Sequence, residues 1–253
     1  MLPACPALYT TTFLLATLAT LLVAATLRLL TILPHTRSTP PPPRRRPGTL
    51  TRVLIVLGSG GHTHEMLALL RDLDPRRYTH RTWVVSSGDA FSASRAVAFE
   101  TALAEKASRD TGEGKEEAGR WHVGPQYYTV VEIPRARRVH QSLLTTPVSA
   151  VHTLLRSLTL LYRSEGLPDL ILTNGPGTAC IVVLAVLVLK FFDLRGAQSR
   201  GKCKTVYVES FARVRGLSFS GKLVGRFVDR LVVQWEGLEG VSGGRAEYWG
   251  VLV

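Results

Sequence analysis

The chain has 253 residues, with 31 Lys and Arg against 19 Asp and Glu, a formal net charge of +12 and a sequence pI near 10.2. That balance points to an anionic partner, and no aromatic-interleaved basic helix, zinc spacing or RNP-like strand supports nucleic acid, which leaves an anionic membrane surface or phosphorylated substrates. Three scattered cysteines (Cys5, Cys180, Cys203) exclude a disulfide framework and fit reduced thiols in a cytosol-facing domain.

From Ala7 to Leu27 no residue is charged, and about twenty such residues span a hydrocarbon core of roughly 30 Å. Arg28 follows where its stem can snorkel. The run is too long for a signal-peptide core, lacks a basic segment before it, and has its positive cluster after it. Arg37 and Arg44-Arg45-Arg46 therefore leave the C-terminal bulk in the cytosol. Residues 7–33 read as a single-pass signal anchor. Residues 34–50, with a run of four prolines and three arginines, read as a stiff cationic linker held near anionic headgroups. Residues 51–253 are enough for one well-buried α/β domain.

Within that domain strand and helix signals alternate. Strands are expected at Val53–Leu57, Tyr78–Ser86, Tyr128–Ile133, Asp169–Thr173, Thr205–Val208 and Leu231–Gln234. Helices are expected at His64–Leu73, Ser92 to about Ala107, Leu143–Tyr162, Ala179–Leu189 and Ser220–Val228. Ala179–Leu189 is apolar on all sides but too short to span a bilayer, so it reads as a buried helix with membrane-surface contact as the alternative. Arg109–Gly119 is charged and glycine-rich without periodicity, and reads as a flexible surface insert. The alternation predicts a Rossmann-like, doubly wound parallel sheet, whose ligands bind at the carboxyl ends of its strands.

The chemistry gathers in the loops at those ends. Val53–Leu57 feeds Gly58-Ser59-Gly60-Gly61-His62-Thr63-His64-Glu65, a glycine turn at the mouth of a helix. Such a turn lets backbone N–H groups and the positive helix end approach an anion. The spacing departs from G-x-G-x-x-G, and it sets the imidazole of His62 beside the cradle. Four further loops converge on the same crevice. Ser86–Ser94 contains Asp89, and Arg135–Ser142 carries Arg135, Arg137 and Arg138, whose guanidinium forks suit phosphate oxygens. Asn174-Gly175-Pro176-Gly177-Thr178 offers N–H groups and a hydroxyl for a phosphate or sugar. In Glu209–Arg213, Glu209 either accepts a sugar hydroxyl or pairs with Arg213. No metal set is visible, no cofactor is expected, and neither a G-x-S-x-G elbow nor a P-loop lysine is present.

The motifs LGSGGHTHEM (57–66), IPRARRVHQS (133–142), LTNGPGT (172–178), VESFARVRGLSFSGKL (208–223), VDRLVVQW (228–235) and YWGVLV (248–253) resemble, in order and combination, one family. It comprises the membrane-anchoring subunits, number fourteen of the asparagine-linked glycosylation pathway, of the eukaryotic UDP-N-acetylglucosamine transferase. The resemblance implies the N-terminal half of a GT-B glycosyltransferase, inverting and inactive alone. It adds the second sugar to a dolichol-linked diphosphate sugar, and a separate soluble catalytic polypeptide, subunit thirteen, holds UDP-N-acetylglucosamine. It also implies the endoplasmic reticulum and contiguous nuclear membrane, and the GlcNAc-phosphate transferase of the preceding step as a further partner. Carried onto this sequence, Gly60, Gly61 and Thr63 contact the acceptor diphosphate and His62 is the candidate base, which an imidazole suits. The remaining substrate-side candidates are Glu65, Asp89, Arg135, Arg137, Asn174, Gly175, Gly177, Thr178, Glu209 and Arg213. Trp249, Val251, Leu252 and Val253 form either a final edge strand or the partner interface. The alternatives are a pure membrane scaffold that touches no substrate and a complete one-domain enzyme.

Overall fold

A computed structural model describes residues 6–34, 49–110, 121–137, 141–142, 144–175 and 177–252. Most of the linker, residues 111–119 of the expected insert, Arg138, Pro176 and Val253 lie outside the described residues. The chain divides into two units, Met1–Pro42 and Pro43–Val253.

The first unit is built on one helix, α1 (Pro6–Ile32), and Tyr9–Ile32 within it has a mean hydropathy of 2.1 and the length to cross a membrane. Its threonines do not leave polar groups facing an apolar medium. Thr17 donates to the carbonyl of Phe13 (2.9 Å), Thr20 to that of Ala16 (2.9 Å) and Thr26 to that of Leu22 (2.8 Å). Each hydroxyl is thereby satisfied within the helix.

The second unit is a sheet between two helical layers. Among the described residues it has seven strands: β1 (Arg52–Val56), β2 (His80–Ser86), β3 (Tyr128–Ile133), β4 (Leu170–Asn174), β5 (Lys204–Val208), β6 (Arg230–Val233) and β7 (Ala246–Tyr248). All pair in parallel, in the order β3-β2-β1-β4-β5-β6-β7. The order reverses direction between β1 and β4, where Val53 lies opposite Leu170 and Val56 opposite Thr173. A crevice opens at the carboxyl ends of such a neighbouring pair because the connections leave toward opposite sides.

Strands β1, β4 and β6 are nearly continuous apolar runs because both of their faces are covered, whereas β3, at one edge, buries only Ile133. On one side, α2 (Gly61–Leu69) and α3 (Ala90–Asp110) pack on Val53, Ile55, Trp83 and Val85. On the other, α4 (Thr146–Arg163), α5 (Thr178–Phe191) and α6 (Phe219–Val224) pack on Leu54, Val56, Tyr207 and Val233. As the apolar composition predicts, α5 is a core helix, with Val182, Ala185, Val186 and Leu189 buried.

Several boundaries differ from the sequence reading. Helix α2 begins three residues early, at Gly61, because the glycine turn itself forms the first helical turn. Arg109 and Asp110 belong to α3 and not to an insert, extended by the i, i+4 pair of Arg109 with Glu105. The last strand is Ala246–Tyr248, beside β6, and residues 249–252, for which the sequence offers an edge strand as one of two readings, form no strand.

Two charged networks are buried in this core. The Arg81 guanidinium forks onto Glu100 at 2.7 Å through both Nε and Nη2, and Trp83 Nε1 donates to the same carboxylate at 2.8 Å. Lys190 of α5 reaches Asp229 at 3.0 Å, and Asp229 also accepts from the Thr205 N–H and hydroxyl.

Candidate functional site

The site begins where β1 ends. Gly60 takes φ +61°, a value that favours glycine, and turns the chain into α2. The N–H groups of Gly61 and His62 head that helix, where no intrahelical acceptor exists. Open space lies above Gly60 and Gly61, since a Cβ at either would meet nothing within 4 Å. Donors at a helix start with empty space before them suit an anion.

His62 is held from three directions. Its carbonyl accepts from Asn174 Nδ2 at 2.7 Å. Its ring packs on Gly175, which has φ +77° and whose Cβ, if present, would lie 3.0 Å from His62 Cγ. Its Nδ1 faces Glu65 Oε2 at 3.3 Å, one helical turn along α2. The other carboxylate oxygen of Glu65 accepts from Ser210 Oγ at 2.8 Å, so a loop following β5 fixes the carboxylate that faces the imidazole. Ser210, Glu65 and His62 thus form a hydrogen-bonded chain across β1 and β5. A ring oriented through Nδ1 presents Nε2 as its free nitrogen, the arrangement a general base needs.

The neighbouring candidates divide into those facing the crevice and those that build it. Thr63 is fully buried, and its hydroxyl meets the carbonyl of Gly58 and Ser92 Oγ (2.7 Å). Asp89 caps α3, accepting from the Ser92 N–H at 3.1 Å and hydroxyl at 2.8 Å. The sequence reading placed both on substrate; the structure turns both side chains inward, where they brace the glycine turn.

Glu209 is likewise buried. It accepts from the Ser218 N–H (2.9 Å) and hydroxyl (3.0 Å) and from the Ser210 N–H (3.1 Å). No ion pair joins it to Arg213, so that alternative is corrected. Glu209 pins the loop that carries Ser210, because a buried carboxylate must collect donors.

Asn174 is buried, and its Oδ1 lacks a hydrogen-bond partner among the described residues. An orphaned acceptor beside His62 is a natural contact for a ligand hydroxyl. Gly177 heads α5 at φ +37°, and Thr178 Oγ1 lies 3.3 Å from Ser86 Oγ, tying the start of α5 to the end of β2. Arg135 Nε donates to the Ser87 carbonyl (3.3 Å) and Arg137 Nη2 to that of Gln141 (3.1 Å). Arg137 and Arg213 are exposed. Tyr207 donates to the Gly175 carbonyl at 3.1 Å; burial and then Glu209 push its phenol up, so it stays a neutral donor that fixes the turn.

The C-terminal tail returns to this site. Leu252 N–H donates to Gln234 Oε1 at 3.1 Å, and Leu252 lines one small pocket with Glu65, Asn174 and Gln234. Trp249 and Val251 stay about half exposed, at 50% and 53%. Sequence reasoning missed Ser210, Ser92 and Gln234. Only adjacency to Glu209 could have flagged Ser210, since it meets Glu65 from 145 residues away.

Comparison with known proteins gives a consistent family. The model described as "Oligosaccharide biosynthesis protein Alg14 like" matches residues 53–252. UDP-N-acetylglucosamine transferase subunit alg14 of Schizosaccharomyces pombe is 40% identical over 201 residues, covering 79% of this chain and 82% of that one. The human subunit ALG14 is 36% identical over 187 residues, covering 74% and 76%. Among solved structures, Acinetobacter baumannii MurG aligns with a TM-score of 0.44 at 12% identity, covering 74% of this chain and 41% of that chain.

Proposed function

The chain belongs to the Alg14 family, and from that premise we propose that it is the membrane-anchoring, acceptor-binding subunit of a UDP-N-acetylglucosamine transferase. In this reading the acceptor is a dolichol-linked N-acetylglucosaminyl diphosphate, which receives its second sugar on the cytosolic face of the endoplasmic reticulum. The sheet is the N-terminal half of a GT-B enzyme. A separate soluble subunit holds UDP-N-acetylglucosamine and docks partly through the exposed Trp249 and Val251.

The observation that carries the reading is the His62–Glu65–Ser210 chain at the foot of an open glycine turn. The acceptor diphosphate lies over Gly60 and Gly61, against the head of α2. His62 Nε2 takes the proton from the attacking sugar hydroxyl as its oxygen bonds to the donor's anomeric carbon. The bond from that carbon to UDP breaks, and UDP leaves with the electron pair, so the anomeric configuration inverts. Glu65 stabilises the imidazolium formed, and Asn174 Oδ1 accepts a hydrogen bond from an acceptor hydroxyl.

The test is transfer to an N-acetylglucosaminyl diphospho-lipid by the full chain, with and without the soluble subunit. Transfer should require both polypeptides. Gly61→Val should abolish it while co-purification of the partner is unchanged, because a side chain at Gly61 meets nothing in the fold but occupies the cradle. Full transfer by the chain alone would refute the split enzyme. Normal transfer by Gly61→Val would favour a scaffold that touches no substrate.

A further inference from the structure

Ser210 leaves β5 on a loop whose own backbone has to be held. The peptide that joins it to Glu209 carries the Glu209 carbonyl, which accepts from Gln234 Nε2 at 3.1 Å. The Ser210 N–H of the same peptide donates to Glu209 Oε1 at 3.1 Å. Both polar atoms of that peptide are therefore gripped, and the hydroxyl it carries is aimed at Glu65 Oε1, 2.8 Å away. Gln234 can reach it because it comes one residue after β6, the neighbour of β5. There Val208 lies opposite Val232, and the Glu209 N–H donates to the Val232 carbonyl at 2.9 Å.

The other end of the same amide faces the C-terminal tail. Gln234 is buried, and its Oε1 accepts from the Leu252 N–H at 3.1 Å. The two bonds fix the amide's direction: only its oxygen can take the Leu252 N–H, and only its NH2 can serve the Glu209 carbonyl. The tail leaves β7 at Tyr248, the Trp249 N–H meets the Val233 carbonyl at 3.4 Å, and the chain turns at Gly250. Leu252 then lines a small pocket with Gln234 and Glu65. Hydrogen bonds thus run without a break from the Leu252 N–H through Gln234, the Glu209–Ser210 peptide and Glu65 to His62. A glutamate at 234 would set an oxygen against the Glu209 carbonyl, where the amide sets a donor.

We propose that Gln234 is a positioning residue of the transfer reaction: its amide clips the C-terminal tail to the peptide that carries Ser210, so that seating of the tail sets the carboxylate facing His62. The proposal rests on the acceptor-binding subunit reading. It adds a physical link between the two places that reading uses. Trp249 and Val251, exposed and offered to the soluble partner, lie within three residues of Leu252. A partner that covers them immobilises Leu252 and, through Gln234, the hydrogen-bonded chain that orients the imidazole. Such a link acts on turnover, because a base displaced by a fraction of an ångström still binds substrate but takes its proton less often.

The test uses the full chain in detergent, the soluble partner at saturation, and initial rates of transfer to an N-acetylglucosaminyl diphospho-lipid. Two changes cut the clip at opposite ends. Gln234→Glu keeps an acceptor for Leu252 and loses the donor to Glu209. Replacing Leu252 by its α-hydroxy acid, through stop-codon suppression, turns one backbone amide into an ester, which removes the N–H and keeps the side chain. Gln234→Glu should lower kcat by about tenfold or more and leave KM for UDP-N-acetylglucosamine within about twofold. The ester should lower kcat several-fold, and the two changes together should cost no more than Gln234→Glu alone. If Gln234→Glu does not fold, the ester decides. Unchanged kcat in the ester overturns the proposal, as do effects that multiply. A change only in the partner concentration needed for saturation also overturns it, and makes the tail a dock alone. Amide hydrogen exchange over residues 210–216 in the chain without its partner gives a readout apart from transfer: the ester should speed it several-fold, and unaltered exchange contradicts the clip. Faster exchange with no transfer by the parent complex keeps the clip and removes the subunit reading. Normal transfer with both changes keeps the subunit reading and removes the role of Gln234.

Discussion

Gly175→Ala separates the catalytic reading from a merely structural one. Gly175 sits at φ +77°, where an alanine costs about 1 kcal/mol relative to glycine. The added Cβ would also lie 3.0 Å from Cγ and 3.1 Å from Cδ2 of His62, closer than carbon atoms normally approach. The ring must move by a few tenths of an ångström, and its 3.3 Å approach to Glu65 with it. Misplacing a catalytic group on this scale lowers turnover by roughly tenfold to a hundredfold. Gly201→Ala is the control: its φ is +61°, and a Cβ there meets nothing within 4 Å. Both variants should lose similar stability, a drop in Tm of roughly 2–4 °C for about 1 kcal/mol. Only Gly175→Ala should lose kcat in the complex with the soluble partner. Thermal unfolding of the detergent-solubilised chain and initial-rate kinetics read the two effects. Equal activity in both variants would mean that the position of His62 does not matter, and the reasoning would fail.

Glu65→Gln should lower kcat by about a hundredfold or more, because an amide can hold His62 in the wrong tautomer and cannot stabilise an imidazolium; unchanged kcat would remove Glu65 from the mechanism. Glu100→Ala should destabilise the fold by about 3–5 kcal/mol, since it leaves the buried Arg81 guanidinium unpaired and Trp83 Nε1 without its acceptor. A Tm within a degree or two of the parent would contradict that. At Asp229, burial pushes the carboxyl up, but the Lys190 ammonium and the Thr205 N–H outweigh it and hold the group below its ordinary value. Its stabilisation is therefore present above the unfolded pKa and lost as pH falls through the lower folded one. Asp229→Asn should flatten the acid limb of a stability-against-pH curve below about pH 4, and an unaltered limb would count against the pairing.

The sheet was legible because strands covered on both faces are written as apolar runs: six of them fall within two residues of their expected bounds. Strand β7 was not, being three residues, Ala-Glu-Tyr, at an edge where only one neighbour imposes a pattern. The glycine turn and His62 were visible as residue types in order. What the order hides is side-chain direction. Thr63, Asp89 and Glu209 read as crevice residues, yet each is turned inward to satisfy donors or acceptors of the turns themselves. The His62–Glu65 contact lies at a readable i, i+3 spacing, but its orientation depends on Ser210, which only the β5 crossover brings near.

The central claim is that this chain holds the acceptor. Its most direct test is equilibrium binding of an N-acetylglucosaminyl diphospho-lipid and, separately, of UDP-N-acetylglucosamine to the full chain in detergent without its partner. The account predicts saturable binding of the diphospho-lipid, lost in Gly61→Val, and no binding of the nucleotide sugar. Binding of UDP-N-acetylglucosamine with none of the lipid would contradict it.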